Sequence, residues 1–292
     1  MIAVCSHDAG GAELISSYIK KEKIKCKYCL DGPALNIFRS KLGDIENLSL
    51  EECLKDCDWL LCGSGWSNLE WDAIDKAKKR SKYVVVFLDH WTGYQARFQR
   101  HGVNRYPDEI WVSDRYALEM AEKIFPEIRI QFVENSYYLD LQDELEKLPK
   151  KSINEKSLRI LYICEPTSRA GVDIKNIKYT DHDALKYFLE LINEIKTFVE
   201  SVCIRPHPNE NKDKYNWALT DQNVRVVIGG QRKLIEEVAE SDWIVGRESM
   251  ALIVGLIAGK RVMSCIPPNT KPCKLPHKEI EVLSDVISQY TK

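Results

Sequence analysis

Residues 1–20 read MIAVCSHDAGGAELISSYIK. The apolar run from Met1 to Cys5 has the composition of a buried strand, and from Ala12 to Lys20 apolar residues recur at helical spacing. Between them stand a histidine, an aspartate and two adjacent glycines, so the stretch reads as strand, loop and helix, the opening βα unit of a parallel sheet. In open sheets of this kind ligands gather at the carboxyl ends of the strands. Gly10 and Gly11 permit unusual φ values and close backbone approach, and the amides of a following helix N-terminus favour an anion. The same residues also suit a tight turn without a ligand, and the glycine pair does not choose between the two.

The alternation continues along the chain. Strand-like runs at 1–6, 24–29, 58–62, 82–88 and 109–113 are separated by helical stretches at 12–21, 33–41, 50–56, 67–80 and 115–124. Repeated βα of this kind predicts a parallel sheet with helices on both faces. Residues 140–156, DLQDELEKLPKKSINEK, are charged and poor in apolar side chains, which predicts a linker with a short helical start. The pattern then resumes with LRILYIC at 158–164, a helical stripe of Leu185, Phe188, Leu189, Ile192, Ile195 and Val199, and the strands VCIRP, VRVVI, DWIVG and KRVMSC. Further helices are predicted at about 231–240, 249–258 and 278–290. The expected architecture is therefore α/β: two Rossmann-like doubly wound domains, 1–140 and 157–292, joined by a linker at 141–156 and facing a cleft.

Size and charge narrow the classes. A chain of 292 residues suits two domains at ~150 residues each. With 42 basic and 44 acidic side chains there is no general pull toward nucleic acid or anionic lipid, so no nucleic-acid partner and at most peripheral membrane association are expected. Apolar stretches such as Tyr83 to Leu88 and Met250 to Ala258 fall short of the ~20 residues of a bilayer span. The first strand starts at once, without a signal-peptide pattern, which predicts a cytoplasmic location. Cys5, Cys62, Cys164, Cys203 and Cys265 sit in strand-like runs and are expected to act as small core residues. Cys26 and Cys29 are three apart on a strand, so they face opposite ways, and no metal site is expected there or elsewhere.

Two motifs stand at strand ends in the second half. In IRPHP, residues 204–208, prolines on both sides of His207 hold its surroundings extended and present the imidazole beyond the strand. Arg205 adds a fork of donors that suits phosphate or carboxylate. In GRES, residues 246–249, Gly246 opens a turn and Ser249 stands at the start of an apolar helix, where its hydroxyl and the helix-end amides would hold a phosphate together. A rigid turn with a surface histidine, and a serine that only caps its helix, are the plain alternatives.

RPHP on one strand, then a GxxS turn and a small-residue helix ending in AGK before the next strand, resembles the donor-binding domain of GT-B type glycosyltransferases over about residues 200–268. Bacterial polysialyltransferase-like and capsule-synthesis enzymes, with an HP motif and a later serine motif, are the group it is similar to, as are the glycerophosphotransferases of teichoic-acid synthesis. The resemblance implies that His207 and Ser249 contact the phosphates of a nucleotide-activated donor, that Arg205 and Gly246 belong to the same site, and that Glu248 reaches the ribose hydroxyls. Here Met250 follows Ser249, where that group often has a second hydroxyl residue.

The first domain is then expected to bind the acceptor and supply the base that takes its proton. Candidates lie on three loops after strands: His7 and Asp8; Gly63, Ser64 and Gly65; and Asp89 and His90. Asp8 is the first choice and Asp89 the second. Trp66, Trp91 and Tyr94 offer flat apolar faces for a sugar ring, each equally suited to ordinary packing. The leading expectation is a metal-independent glycosyltransferase of surface-polysaccharide synthesis. Its partners would be a nucleotide-sugar donor, taken as substrate with no separate cofactor, and a glycan or lipid-linked acceptor. A nucleotide-sugar epimerase or hydrolase on the same plan, or a binding protein without catalysis, are the rivals. A dehydrogenase is disfavoured because HDAGGA is not GxGxxG.

Overall fold

The structure, a computed structural model, describes residues 1–149, 157–165, 179–208, 210–220 and 223–291. The chain divides into two units, Met1–Asp140 and Leu141–Lys292. In the first, β1 (Ile2–Ser6), α1 (Ala9–Glu22), β2 (Cys26–Leu30), α2 (Pro33–Leu42), α3 (Leu50–Leu54), β3 (Trp59–Gly63), α4 (Asn68–Lys79), β4 (Tyr83–Phe87) and α5 (Tyr94–Phe98) follow in turn. A short antiparallel hairpin, β5 (Gln99–Arg100) and β6 (Val103–Asn104), precedes β7 (Glu109–Val112), α6 (Arg115–Ile124), β8 (Arg129–Phe132) and α7 (Ser136–Glu146). The sheet order is β2-β1-β3-β4-β7-β8 with every pairing parallel. Strands buried on both faces explain the unbroken apolar runs, Val84 to Leu88 among them.

The second unit runs β9 (Leu158–Ile163), α8 (Asp181–Glu194), β10 (Val199–Arg205), a 3₁₀ segment Lys212–Leu219, β11 (Val226–Ile228), α9 (Leu234–Glu240), β12 (Trp243–Gly246), α10 (Met250–Ile257), β13 (Arg261–Ser264), β14 (Glu281–Val282) and α11 (Leu283–Tyr290). Its sheet is again parallel, in the order β11-β10-β9-β12-β13-β14. Leu185, Phe188, Leu189 and Ile192 form the buried stripe of α8 against Tyr162 and Val202. Thr180 and Asp183 close a capping box at its start.

Several elements differ from the sequence reading. Gly10 and Gly11 do not lie in a turn with unusual φ: α1 begins at Ala9, so both are in its first turn, and neither has a positive φ. Their small size is used for close approach, since a Cβ on Gly11 would stand 3.2 Å from the Cα of Gly63. The helical start expected for the linker is present, as α7 runs to Glu146, while the stretch 150–156 lies outside the described residues. β8 is largely exposed and mixes charged with apolar residues, so it carries no buried-strand signature. β14, Glu281–Val282, falls inside the segment expected to be the last helix, and α11 starts at Leu283.

Candidate functional site

In the first unit β2 lies on one side of β1 and β3 on the other, so the chain changes direction between β1 and β3. A doubly wound sheet offers room for a ligand at such a point, beyond the carboxyl ends of those two strands. His7 and Asp8 leave β1 there, and Ser64, Gly65 and Trp66 leave β3. The two loops bond directly. His7 Nδ1 is 2.7 Å from Asp8 Oδ1, and the Trp66 N–H donates to Asp8 Oδ2 at 2.8 Å. The other imidazole nitrogen, Nε2, makes no hydrogen bond among the described residues, and the ring lies against Gly32, where a Cβ would come within 2.6 Å of Nε2. Gly32 has φ +53°, and side chains rarely adopt that conformation.

A residue absent from the sequence reading holds this arrangement from below. Glu70, in the first turn of α4 and 2% exposed, accepts the His7 N–H through Oε1 at 2.6 Å and is bonded through Oε2 to the Ser67 hydroxyl. Burial pushes its carboxyl above the ordinary range and nearby Asp8 adds to the shift, against the opposing hydrogen bonds from Ser67 and His7. A Cβ on Gly65 would stand 2.7 Å from Asp8 Oδ2 and 2.9 Å from Glu70 Oε1, so glycine there lets the two carboxylates flank one loop. The sequence signal for Glu70 is SNLE, residues 67–70, a serine three positions before a glutamate at a helix start.

Asp89, after β4, has a different environment. Its Oδ1 accepts from Ser64 Oγ at 2.7 Å and from Arg97 Nη1 at 3.3 Å, with the two charged side chains only 13% and 6% exposed. Its Oδ2 lies against the first turn of α1, 2.1 Å from where a Cβ on Gly10 would be. That geometry makes Asp89 a tie between three segments, with its Oδ1 committed to Ser64 and Arg97. His90 folds back on its own turn, its Nδ1 accepting the Trp91 N–H at 3.0 Å. Trp91 and Tyr94 are core residues, 3% and 2% exposed, so they offer no face to a sugar, whereas Trp66 is 54% exposed.

In the second unit the change of direction falls between β9 and β12. Glu165 follows β9, and Arg247, Glu248 and Ser249 follow β12. Glu165 Oε1 accepts the N–H groups of Arg247 at 3.0 Å and Glu248 at 2.9 Å. Burial raises the Glu165 carboxyl, while the Arg247 charge and those two amides oppose the shift. Two amides of the turn before α10 are thus taken by a carboxylate of the same unit. Ser249 is the N-cap of α10, its Oγ accepting the Ala251 N–H at 3.2 Å, which leaves the hydroxyl hydrogen to donate elsewhere. Gly246 is the buried last residue of β12, and its lack of a side chain serves packing: a Cβ would lie 3.3 Å from Ile163.

β10 and β12 flank β9, so His207 and Ser249 stand beyond strands on either side of it. His207 is half-buried, and its N–H donates to Glu210 Oε2 at 3.2 Å. Glu210 also accepts from the Tyr215 hydroxyl and from Lys214, a hub that the sequence reading passed over. Arg205 departs from expectation: its Nη1 donates to Glu237 at 2.5 Å and to the Arg232 carbonyl at 3.1 Å, because Glu237 is buried in α9 and needs a counter-charge. Glu248 pairs with Lys274 at 3.2 Å. Among the described residues no group of three or more His, Cys, Asp or Glu side chains is arranged to hold a metal ion, and no helix is long and apolar enough to cross a membrane.

No protein-family profile and no curated protein matches the chain in sequence. Solved structures match it in fold. A UDP-GlcNAc 2-epimerase from Methanocaldococcus jannaschii aligns with TM-score 0.59 at 14% identity, over 92% of this chain and 84% of that one. The glycotransferase of kitacinnamycin aligns with TM-score 0.56 at 10% identity, over 93% and 81%. MurG of Acinetobacter baumannii aligns with TM-score 0.52 at 9% identity, over 99% and 82%. The class is thereby set: two Rossmann-like α/β units of the GT-B type.

Proposed function

We propose that this chain is a glycosyltransferase that moves a sugar from a nucleotide-activated donor to a glycan or lipid-linked acceptor in surface-polysaccharide synthesis. The observation that carries the reading is the His7–Asp8 pair at the switch point of the first sheet, where His7 Nε2 makes no hydrogen bond among the described residues. An imidazole whose Nδ1–H donates to a carboxylate is held in the tautomer whose Nε2 accepts a proton. His7 is therefore the base, and Asp8, with both oxygens engaged, orients it. The acceptor hydroxyl gives its proton to Nε2 as its oxygen bonds to the anomeric carbon of the donor. The bond from that carbon to the phosphate oxygen breaks, and the nucleotide leaves with the electron pair. In the second unit the Ser249 hydroxyl and the His207 imidazole meet the charge on the phosphate. Arg205 is left out of this set because its guanidinium is tied to Glu237.

A nucleotide-sugar 2-epimerase is the second reading. It is favoured by the carboxylates of Asp8 and Glu70, which both come close to the Cβ position of Gly65, since epimerisation needs acid and base groups around one sugar. One experiment separates the readings. A thermal-shift panel of UDP-, CMP-, CDP- and GDP-linked sugars is expected to single out one nucleotide class, since a ligand at 100 times its Kd stabilises by about 2.7 kcal/mol. Incubating that donor without acceptor should then give slow hydrolysis for a transferase and an epimerised sugar for the second reading. A panel with no shift at all would remove both.

A further inference from the structure

We infer that Trp66 is the platform of an acceptor subsite, a rigidly held indole face on which a neutral pyranose ring stacks with a hydroxyl directed to the His7–Asp8 pair. The inference rests on the transferase reading and adds to it the residue that recognises the acceptor and the chemical class it takes.

An exposed tryptophan alone says little, because single apolar residues are common on protein surfaces. Here the main chain beneath it is fixed on every side. The Trp66 N–H donates to Asp8 Oδ2 at 2.8 Å. The two preceding carbonyls are also held: that of Ser64 accepts from Arg97 Nη1, and that of Gly65 accepts from Arg100 Nη2 at 3.3 Å. Arg100 Nη1 adds a bond to Asn68 Oδ1 at 3.1 Å on the far side of the loop. The ring is fixed too. The Arg97 guanidinium lies 5.3 Å from its centroid, and a Cβ on Gly93 would stand 3.3 Å from Cζ2, at a residue whose φ of +68° already favours glycine. With these neighbours in place 54% of the residue still faces solvent. Ordering a side chain costs entropy, so an indole already held against Arg97 and Gly93, with more than half of the residue still exposed, offers a ligand a face that needs no further ordering.

The surroundings select the ligand. The Arg97 guanidinium against the ring is 6% exposed and already paired with Asp89, whereas Asp8, the carboxylate on the Trp66 amide, is partly exposed, with buried Glu70 behind it. A phosphate brought to this face would meet like charge, whereas sugar hydroxyls donate to carboxylate oxygens. The apolar C–H face of a pyranose suits the electron-rich face of an indole. A neutral sugar therefore fits better than a nucleotide.

The test uses the full chain with ¹⁵N-labelled tryptophan. Seven indole N–H signals are expected from the sequence, and Trp66→Phe identifies the one from Trp66 by its absence. The probes are the methyl β-pyranosides of glucose, galactose, N-acetylglucosamine and N-acetylmannosamine, with UMP and CMP as controls. At least one glycoside is expected to move the Trp66 signal, and neither nucleotide is. Trp66→Ala is expected to weaken binding of that glycoside tenfold or more, Trp66→Phe to restore most of it, and both to keep the wild-type nucleotide thermal shift. A Trp66 signal that no glycoside moves up to its solubility limit, or that moves with nucleotide instead, overturns the inference. Loss of the transferase reading shows separately, as a wild-type protein that no nucleotide or donor stabilises.

Discussion

In both units the loops at the switch point bond to each other, but among the described residues those leaving β1 and β3 keep an imidazole nitrogen without a hydrogen bond and an exposed indole, whereas those leaving β9 and β12 spend two amides on Glu165. The strand orders differ accordingly, β2-β1-β3-β4-β7-β8 against β11-β10-β9-β12-β13-β14, the latter being the arrangement of dinucleotide-binding sheets. At each switch point a buried carboxylate ties the two diverging loops. In the first unit Glu70, on the β3 side, grips the amide of His7, and in the second Glu165, on the β9 side, grips the amides of Arg247 and Glu248. What separates the units is which polar atoms remain after the tie is made. Among the described residues an imidazole nitrogen of His7 is left over in one, and the Ser249 hydroxyl hydrogen in the other. Residue type proposes a role, and the count of remaining donors and acceptors decides it.

The largest expected effect comes from breaking a tie. Asp89→Asn leaves Arg97, whose side chain is 6% exposed, without its counter-charge, and should lower stability by about 3–5 kcal/mol in urea unfolding. If Asp89→Asn were instead fully stable and inactive, Asp89 would be a base and the comparison would fail. Next is the proposed catalytic pair. Asp8→Asn and His7→Gln should each reduce turnover by about 10²-fold, or ~2.7 kcal/mol of barrier, with nucleotide affinity unchanged. In the second unit, His207→Ala and Ser249→Ala should each weaken nucleotide binding by ~1–3 kcal/mol in titration calorimetry with the fold intact, and Arg205→Ala should act on stability instead.

The smallest effect concerns the tie at Glu165. Its carboxyl is raised in the folded state by burial, so the folded chain holds the proton more tightly than the unfolded one. That contribution is fully present below the ordinary value of 4.5 and is lost as pH rises through the raised folded value. Glu165→Gln keeps the acceptor for both amides and has no such loss. Urea unfolding across pH should therefore show the variant gaining on wild type as pH rises from acid toward neutral, and a gap that does not change with pH would contradict the shift.

Much of the fold was legible because parallel strands buried on both faces leave unbroken apolar runs, as at Val84 to Leu88, and helices leave stripes, as on α8. β8 and β14 were not, since an exposed edge strand and a two-residue strand leave neither pattern. In the site, the loops were legible from their place after strands, with His7 and Asp8 as candidates and Asp8 preferred as base, while the bond that pairs them shows only in the structure. Glu70, Glu165 and Glu210 were missed because a glutamate reads as solvated until its amide and hydroxyl partners are seen. Arg205 erred the other way: its buried partner Glu237 is 32 residues further along the chain. Trp66, Trp91 and Tyr94 look alike in sequence, and burial alone separates them.

The central claim is that proton transfer belongs to the first unit and donor binding to the second. It is tested most directly by measuring nucleotide Kd in Asp8→Asn and His207→Ala of the full chain, side by side with wild type. The expected result is a wild-type Kd in Asp8→Asn and a Kd raised by roughly 5- to 150-fold in His207→Ala, the range set by losing one hydrogen bond to a charged group. The reverse pattern, with affinity lost in Asp8→Asn and retained in His207→Ala, would place the nucleotide on the first unit and contradict the division of roles.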